Sequence, residues 1–149
     1  FVAKTFYSLN GWINNRDFKY DLAVCIMQKP VRPTTGSLGW VAYLQPDNRI
    51  YESIGYPADD SVIKEFDGKF MWKCVGKNYS YARHNKFEII GMHNNMTGGC
   101  SGGPWLTSYN NQIYVNGINS FNYQGEEGKM YSPYFGEGFL NLINVVKDI

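Results

Sequence analysis

The sequence predicts an all-β fold that ends in one helix. Aromatic residues make up 17% of the 149 residues, and 16 residues are glycine. Aromatic side chains favour strands, and glycine favours the tight turns between them. Short runs typical of strands, separated by Gly, Pro, Asn and Asp, follow one another along the chain. We therefore expect short antiparallel strands joined by tight turns.

Two strands are predicted near the start of the chain. Residues 2–8 alternate between apolar and polar side chains, as a strand does. Residues 21–27 begin with an aspartate and continue as an apolar run, which is the pattern of a buried strand. Two Lys/Arg-Pro pairs end this run, and residues 34–39 are predicted to form a loop.

The remaining chain is predicted to form a small closed barrel followed by a helix. The six further strand candidates are 49–56, 69–76, 86–93, 103–108, 112–121 and 129–135. Six short antiparallel strands with turns between them are typical of such a barrel. Apolar residues at positions 139, 142, 143, 146 and 149 follow helical spacing. This spacing predicts an amphipathic helix at the end.

Charge and cysteine content exclude several classes of protein. Lys plus Arg total 14 and Asp plus Glu total 13, so the net charge is +1 and predicts neither a nucleic-acid nor a membrane-surface partner. No apolar run reaches the roughly 18 residues of a membrane span. Three cysteines cannot all pair within the chain, and their pairing is left open. Their spacing is not that of a zinc site, and we expect neither metal nor cofactor.

The segment Thr97-Gly98-Gly99-Cys100-Ser101-Gly102-Gly103-Pro104-Trp105 is the most informative in the chain. Glycines on both sides of one serine allow a sharp turn with unusual dihedral angles. Such a turn can aim the Gly99 and Ser101 N–H groups at one point, as an oxyanion hole requires. The alternative is a glycine-rich hairpin turn in which the serine is incidental.

Residues 99–104 resemble the nucleophile motif of the chymotrypsin-like serine peptidases, and the preceding glycines make them most similar to the bacterial branch that includes the staphylococcal glutamyl endopeptidases. Tyr20-Asp21-Leu22-Ala23-Val24 resembles the strand that carries the family's catalytic aspartate. The resemblance implies that Ser101 is the nucleophile, that Asp21 orients the catalytic histidine, and that the Gly99 and Ser101 amides form the oxyanion hole.

Residues 115–121 resemble the family's strand that lines the specificity pocket. The resemblance implies that Ser120 supports the aspartate, and it places Asn95, six residues before Ser101, at the pocket floor. The implied substrate-binding residues are Asn95, Thr97, Asn119, Ser120, Phe121 and Asn122. Because neither Asn95 nor Asn119 carries a charge, we expect a neutral pocket that discriminates weakly toward charged substrate side chains.

The histidine is the departure from the family pattern. In the family it precedes the aspartate by several tens of residues, whereas only 20 residues precede Asp21 and none is a histidine. His84 and His93 both follow Asp21. His93 is expected to be structural or to line the pocket, and His84 to be solvated. The histidine is therefore expected on an N-terminal fragment of the same protease.

The resemblance also implies an architecture of two antiparallel β-barrels. Residues 1–44 are expected to form the end of the first barrel, and residues 45–149 the second barrel and the helix. The expected location is secreted, periplasmic or at the cell surface, with a peptide or protein as substrate. Two alternatives remain: an inactive pseudoprotease that binds peptides, and a cysteine peptidase that uses Cys100. Viral cysteine relatives place a glycine directly after the cysteine, whereas Ser101 follows Cys100 here, which favours serine.

Overall fold

The computed structural model describes residues 1–80 and 88–149, and in them the chain is mostly β. The strands are β1 (Ala3–Ser8), β2 (Ala23–Met27), β3 (Gly39–Trp40), β4 (Ile50–Gly55), β5 (Trp72–Ser80), β6 (Ile89–His93), β7 (Pro104–Tyr109), β8 (Gln112–Ile118) and β9 (Lys129–Pro133). The helices are α1 (Asn10–Asn15), α2 (Arg32–Thr35) and α3 (Glu137–Val146), with a 3-10 helix at Phe18–Tyr20. The predicted fold class is confirmed.

The predicted strands and the closing helix are found close to their expected positions. Residues 86 and 87 of one predicted strand lie outside the described residues, and β6 begins at Ile89. The short helices α1 and α2 were not predicted, because four to six residues are too few to show a helical period. Part of the loop predicted at 34–39 belongs to α2 and β3.

A small sheet and α3 form the first packing unit. β1 pairs with β2 in antiparallel fashion, and no described strand extends this pair. One side packs on α3, where Leu22, Phe139 and Leu142 are buried. The outer side is uncovered: the exposed fraction is 70% for Phe1 and 69% for Phe6. The small sheet is therefore buried from one side only.

A strongly curled sheet forms the second unit. Its strand order is β3-β8-β7-β4-β5-β6-β9, with β3 parallel to β8 and the other neighbours antiparallel. Just after β8, Phe121 bridges Tyr131 of β9, and the Tyr131 N–H donates to the Phe121 carbonyl at 2.8 Å. This bridge brings the two ends of the curl together. β3 precedes residue 45 but belongs to this sheet. The domain boundary between residues 44 and 45 stays a prediction.

The interior of the curled sheet combines aromatic and polar side chains. Along β4, inward residues alternate with outward ones, so that Tyr51 and Ser53 are fully buried. Trp105 of β7 and Met92 of β6 are also fully buried. Buried polar groups need hydrogen-bond partners. In this sheet the buried polar side chains and their partners lie beneath the loop that carries Ser101. Among the described residues, no helix has the length and apolar character needed to cross a bilayer.

Candidate active site

The loop from 97 to 103 links β6 to β7, and backbone hydrogen bonds hold it on two sides. The Ala58 N–H donates to the Gly98 carbonyl at 2.7 Å. On the other side, the Gly102 N–H donates to the Asn119 carbonyl and the Asn119 N–H donates to the Gly103 carbonyl, both at 2.8 Å. These bonds fix the loop against the residues after β4 and against the end of β8. Ser101 is consequently held at a defined position.

Two glycines of this loop are required by their surroundings. Gly99 has a φ of 101°, and a Cβ there would lie 2.8 Å from the Tyr56 carbonyl oxygen and 2.8 Å from the Ala58 Cβ. A Cβ on Gly103 would lie 2.0 Å from the Ile54 carbonyl oxygen. Both contacts are too close for any side chain, and a positive φ is unfavourable for L-residues other than glycine. The glycines therefore shape the turn around Ser101.

Ser101 presents its polar groups at the surface of this turn. The residue is exposed, and within the described residues its hydroxyl has no hydrogen-bond partner. The Gly99 and Ser101 N–H groups also donate to no acceptor in that part of the chain. Two backbone N–H groups beside a serine hydroxyl can bind a developing oxyanion when a carbonyl group is placed there.

Asp21 lies at the other side of the site, directly after the 3-10 helix. The Ser120 hydroxyl donates to Asp21 Oδ2 at 2.5 Å, across 99 positions of the sequence. The Ser120 N–H is bonded in turn to the Tyr131 carbonyl of β9 at 3.1 Å. The curled sheet thereby positions the carboxylate that the small sheet supplies. This is the contact that the sequence predicts for Ser120, whose role in catalysis stays a prediction.

Asp21 and Ser101 line the same cavity, which has a volume of about 570 Å³. Its walls come from the small sheet, from α3 and from the end of β8. Most of the other side chains around it are apolar, among them Leu22, Val24, Ile118, Phe135, Phe139 and Leu142. The two residues predicted to belong to one catalytic triad therefore face a shared, largely apolar space.

A smaller pocket of about 110 Å³ opens on another side of Ser101. Its lining residues are Met96, Thr97, Gly98, Cys100, Ser101, Asn119, Ser120, Phe121, Asn122 and Met130. This set contains five of the six residues predicted to bind substrate. The exception is Asn95, which is exposed and does not line the pocket.

The position of Asn95 follows from the alternation of the chain around it. Asn94 and Met96 are 2% and 5% exposed, so the side chain between them is directed outward. The pocket wall is Met96 together with Met130, and sequence reasoning missed both. The alternation of buried residues at 92, 94 and 96 is a signal that could have identified Met96.

Asn119 has a different role from the other pocket residues, because its side chain is bonded inside the sheet. Its exposed fraction is 1%. Its Oδ1 accepts from Ser53 Oγ and Trp105 Nε1 at 2.7 Å and from Asn94 Nδ2 at 3.3 Å, and its Nδ2 donates to the Ile54 and Cys100 carbonyls at 3.2 Å. Through Cys100, the residue before Ser101, this network ties the loop that carries Ser101 to β4 and β7.

The thiol of Cys100 is an unfavourable nucleophile. Cys100 is 4% exposed. Burial raises the pKa of this thiol to about 11, because the charged thiolate loses its hydration. The thiolate is the reactive form, so a thiol with this pKa is inert near neutral pH. This disfavours the alternative of a cysteine peptidase.

Of the two histidines, the structure describes His93, and His93 does not join Asp21 and Ser101. His93 ends β6, is exposed, and lines neither the large cavity nor the small pocket. His84 lies outside the described residues. No group of three or more His, Cys, Asp and Glu that could hold a metal ion occurs in the described part of the chain.

Comparison with solved structures identifies relatives of this fold. The protease Anisep from Arthrobacter nicotinovorans is 31% identical, with a TM-score of 0.81 over 96% of this chain and 65% of that protein. The thermostable serine protease AL20 from an extremophilic microorganism is 29% identical, with a TM-score of 0.81 over 98% of this chain and 67% of that protein. The chain thus spans about two thirds of their length.

More distant structures share the fold alone. A Glu endopeptidase is 20% identical, with a TM-score of 0.81 over 99% of this chain and 64% of its own. An inactivated protease paralogue of the scabies mite is 10% identical, with a TM-score of 0.73 over 99% of this chain and 68% of its own. No protein-family model matches the sequence, and no curated protein matches it. By its fold and its likeness to the bacterial proteases, the chain is similar to the C-terminal portion of the chymotrypsin-like serine peptidases.

Proposed function

We propose that this chain carries the nucleophile, the aspartate and the substrate pocket of a serine endopeptidase. The observation that carries the proposal is the shared cavity: Asp21, held by the Ser120 hydroxyl, and Ser101 line one space. Beside Ser101, two backbone N–H groups have no acceptor among the described residues. The relatives Anisep and AL20 are a protease and a serine protease, which supports the same activity here.

The proposed reaction proceeds through an acyl-enzyme. The Ser101 hydroxyl attacks the scissile carbonyl carbon while a histidine accepts its proton, and the Gly99 and Ser101 N–H groups stabilise the oxyanion. The histidine passes the proton to the leaving amine as the C–N bond breaks. Asp21 orients the imidazole and stabilises its charged form. Water then attacks the ester with the histidine as base, and Ser101 regains its proton.

We further propose that the histidine belongs to an N-terminal segment of the same protease. The cavity of about 570 Å³ is larger than an imidazole needs, and its apolar walls suit a packed chain segment. The uncovered outer face of the small sheet, with Phe1 and Phe6, offers further apolar area for that segment. The free edges of β1 and β2 offer backbone partners as well.

The working form, on this proposal, is either one longer chain or two chains that remain associated after a cut. The resemblance to the bacterial branch supports a peptidase that acts outside the cytoplasm, where it meets peptide or protein substrates. The mechanism requires no metal or cofactor, because the serine supplies the nucleophile and the histidine carries the protons.

The test is covalent labelling of the protein together with its histidine-bearing segment. A fluorophosphonate should attach to Ser101, as located by peptide mass spectrometry, and should abolish peptide hydrolysis. Cys100→Ala should keep the label, and Ser101→Ala should lose it. A label on Cys100, or hydrolysis that persists in Ser101→Ala, would contradict the proposal.

A second candidate function is peptide binding without catalysis. Two observations favour it: no described histidine lines the cavity with Asp21 and Ser101, and the fold is shared with an inactivated protease paralogue. The same labelling separates the two functions, because a pseudoprotease that lacks the histidine binds peptides but leaves Ser101 unlabelled even with the upstream segment present.

A further inference from the structure

We propose that the small pocket beside Ser101 accepts an uncharged aliphatic side chain of up to about four carbon atoms. In a substrate this side chain belongs to the residue whose carbonyl group is attacked, which we call the acyl-side residue. The assignment to a substrate residue rests on the proposed function. The shape and chemistry of the pocket, however, are properties of this chain alone.

The location of the pocket couples it to the reacting group. Ser101 lines both the pocket and the large cavity that contains Asp21. Ser120, whose hydroxyl holds Asp21, lines both as well. A carbonyl carbon placed at the Ser101 hydroxyl therefore has its own side chain directly at the pocket.

The pocket walls are apolar and firmly packed. Met96, Phe121 and Met130 have exposed fractions of 5%, 8% and 7%. Met96 and Met130 belong to the main core of the curled sheet, together with Met92 and Cys100. Their thioether side chains fit closely around an aliphatic group, because methionine adapts its shape at little cost.

No lining residue carries a charge, and the side chains of Thr97, Asn119 and Ser120 are already hydrogen-bonded. Thr97 Oγ1 donates to the Asp59 carbonyl at 2.6 Å, and Ser120 Oγ donates to Asp21 at 2.5 Å. The Asn119 carboxamide is engaged within the sheet. A carboxylate, ammonium or guanidinium group would lose its hydration there without gaining an oppositely charged partner, which is strongly unfavourable.

The volume of the pocket limits the size of the side chain that it can accept. An apolar cavity of roughly 150 Å³ accommodates one benzene ring. At about 110 Å³, this pocket is about a quarter smaller. The side chains of valine, leucine, isoleucine and methionine, with about three or four heavy atoms each, fit this space. The side chains of phenylalanine, tyrosine, tryptophan and arginine, with about seven or more, do not.

The first test compares peptides that differ only at the acyl-side residue, with the protein and its histidine-bearing segment as enzyme. We expect kcat/KM for valine, leucine or methionine to exceed that for phenylalanine by about 10- to 200-fold, the range that misfit in a hydrophobic pocket produces. Glutamate, lysine and arginine should be worse still. The highest kcat/KM at any charged or aromatic residue would overturn the proposal.

Substitutions of the two methionines test which side chains form the pocket walls. Met96→Ala and Met130→Ala enlarge the pocket and should each raise the phenylalanine-to-valine ratio of kcat/KM at least tenfold. Met92→Ala is the matched control, because Met92 is fully buried in the same core but does not line the pocket. The phenylalanine-to-valine ratio of kcat/KM should not change in Met92→Ala. If the alanine variants fail to fold, Met96→Val and Met130→Val should shift the ratio in the same direction. An unchanged ratio in folded variants would contradict the assignment.

A binding measurement separates this inference from the proposed function. With ¹³C-methyl-labelled methionine, a peptide that ends in valine should shift the Met96 and Met130 signals and leave Met92 unmoved, whereas peptides ending in glutamate or arginine should shift none. These shifts without fluorophosphonate labelling at Ser101 would overturn the peptidase and support the pocket. Labelling at Ser101 together with a charged preference would overturn the pocket alone.

Discussion

The curled sheet and the small sheet differ in how completely their apolar faces are buried. In the curled sheet, Trp105 and Tyr51 are fully buried, and Asn119 links β4, β7 and the loop that carries Ser101 through hydrogen bonds inside the sheet. The small sheet packs on α3 from one side only, and its other side exposes Phe1 and Phe6. On the proposed function, the nucleophile Ser101 belongs to the unit with the buried interior, and Asp21 precedes β2 of the unit that is covered on one side only.

On the proposed function, this difference indicates how the catalytic groups are divided. The groups that bind and attack the substrate are held by a unit in which, among the described residues, every buried side-chain nitrogen and oxygen except Trp72 Nε1 has a hydrogen-bond partner. The group that orients the histidine is placed by the Ser120 contact from that unit, yet it lies beside an uncovered apolar face. The predictions that follow begin with the largest expected effect.

Ser101→Ala should lower kcat by about six orders of magnitude, the loss seen when a triad nucleophile is removed. Asp21→Asn should lower kcat by about four orders, because the imidazole would then take the wrong tautomer. Steady-state kinetics of the protein with its histidine-bearing segment measure both. Since Ser101 is exposed, its variant should keep the same Tm. A loss below tenfold in either variant would contradict the triad assignment.

Asn119→Leu should lower the free energy of unfolding by about 3 kcal/mol or more. The substitution removes the acceptor of the Ser53 hydroxyl and of the Trp105 indole N–H, and each buried group left unsatisfied costs about 1–3 kcal/mol. Asn122→Ala is the control, because Asn122 is exposed and its loss should change stability by less than about 0.5 kcal/mol. Urea unfolding measures both. Equal effects would show that Asn119 does not organise the sheet.

Phe6→Ser should weaken association with the histidine-bearing segment and should reduce aggregation of the isolated chain. Phe6 is 69% exposed on the outer face of the small sheet, so its removal deletes apolar area that the segment would cover. Ile113→Ser on β8 is the matched control, at 52% exposed on the curled sheet. Titration calorimetry with the segment should show weaker binding for Phe6→Ser only. Equal binding by the two variants would place the partner elsewhere.

Cys100 should resist alkylation by iodoacetamide while exposed Cys25 reacts. With a pKa raised to about 11, only about one Cys100 in a thousand is a thiolate at pH 8. The reaction rate should rise about tenfold per pH unit toward pH 11. Peptide mass spectrometry measures it, and rapid labelling of Cys100 at pH 8 would contradict the buried, neutral thiol.

The raised pKa of the Cys100 thiol also predicts that the free energy of unfolding depends on pH. The pKa of this thiol rises from about 9 in the unfolded chain to about 11 in the folded one. The unfolded chain therefore loses this proton first, so the stabilisation is complete below about pH 9 and is lost as the pH rises toward 11. Cys100→Ala should lose less stability across this window than the unmodified chain.

The strands were predictable because their signals are local. The alternation along β1, the apolar run of β2 and the glycine-rich turn around Ser101 each lie within about ten residues of sequence. The Ser120 contact with Asp21 was expected only through the family resemblance, since 99 positions separate the two residues.

The network of Asn119 could not be predicted, because its partners come from four separate stretches of the chain. Each of those residues is unremarkable in its own segment, and only the curl of the sheet brings them together. For a related reason, the residue predicted for the pocket floor is one position away from the residue that lines the pocket. Counting back from Ser101 gives Asn95, whereas the alternation of the chain directs Met96 inward.

The most direct test of the divided active site is the rate of fluorophosphonate reaction at Ser101 with and without the upstream segment. Residues 1–149 alone should react slowly and hydrolyse no peptide, because no described histidine lines the cavity where it could accept the Ser101 proton. Addition of the upstream segment should accelerate labelling by several orders of magnitude, and replacement of that segment's histidine with alanine should abolish the acceleration while association persists. Rapid labelling and peptide hydrolysis by residues 1–149 alone would contradict the account.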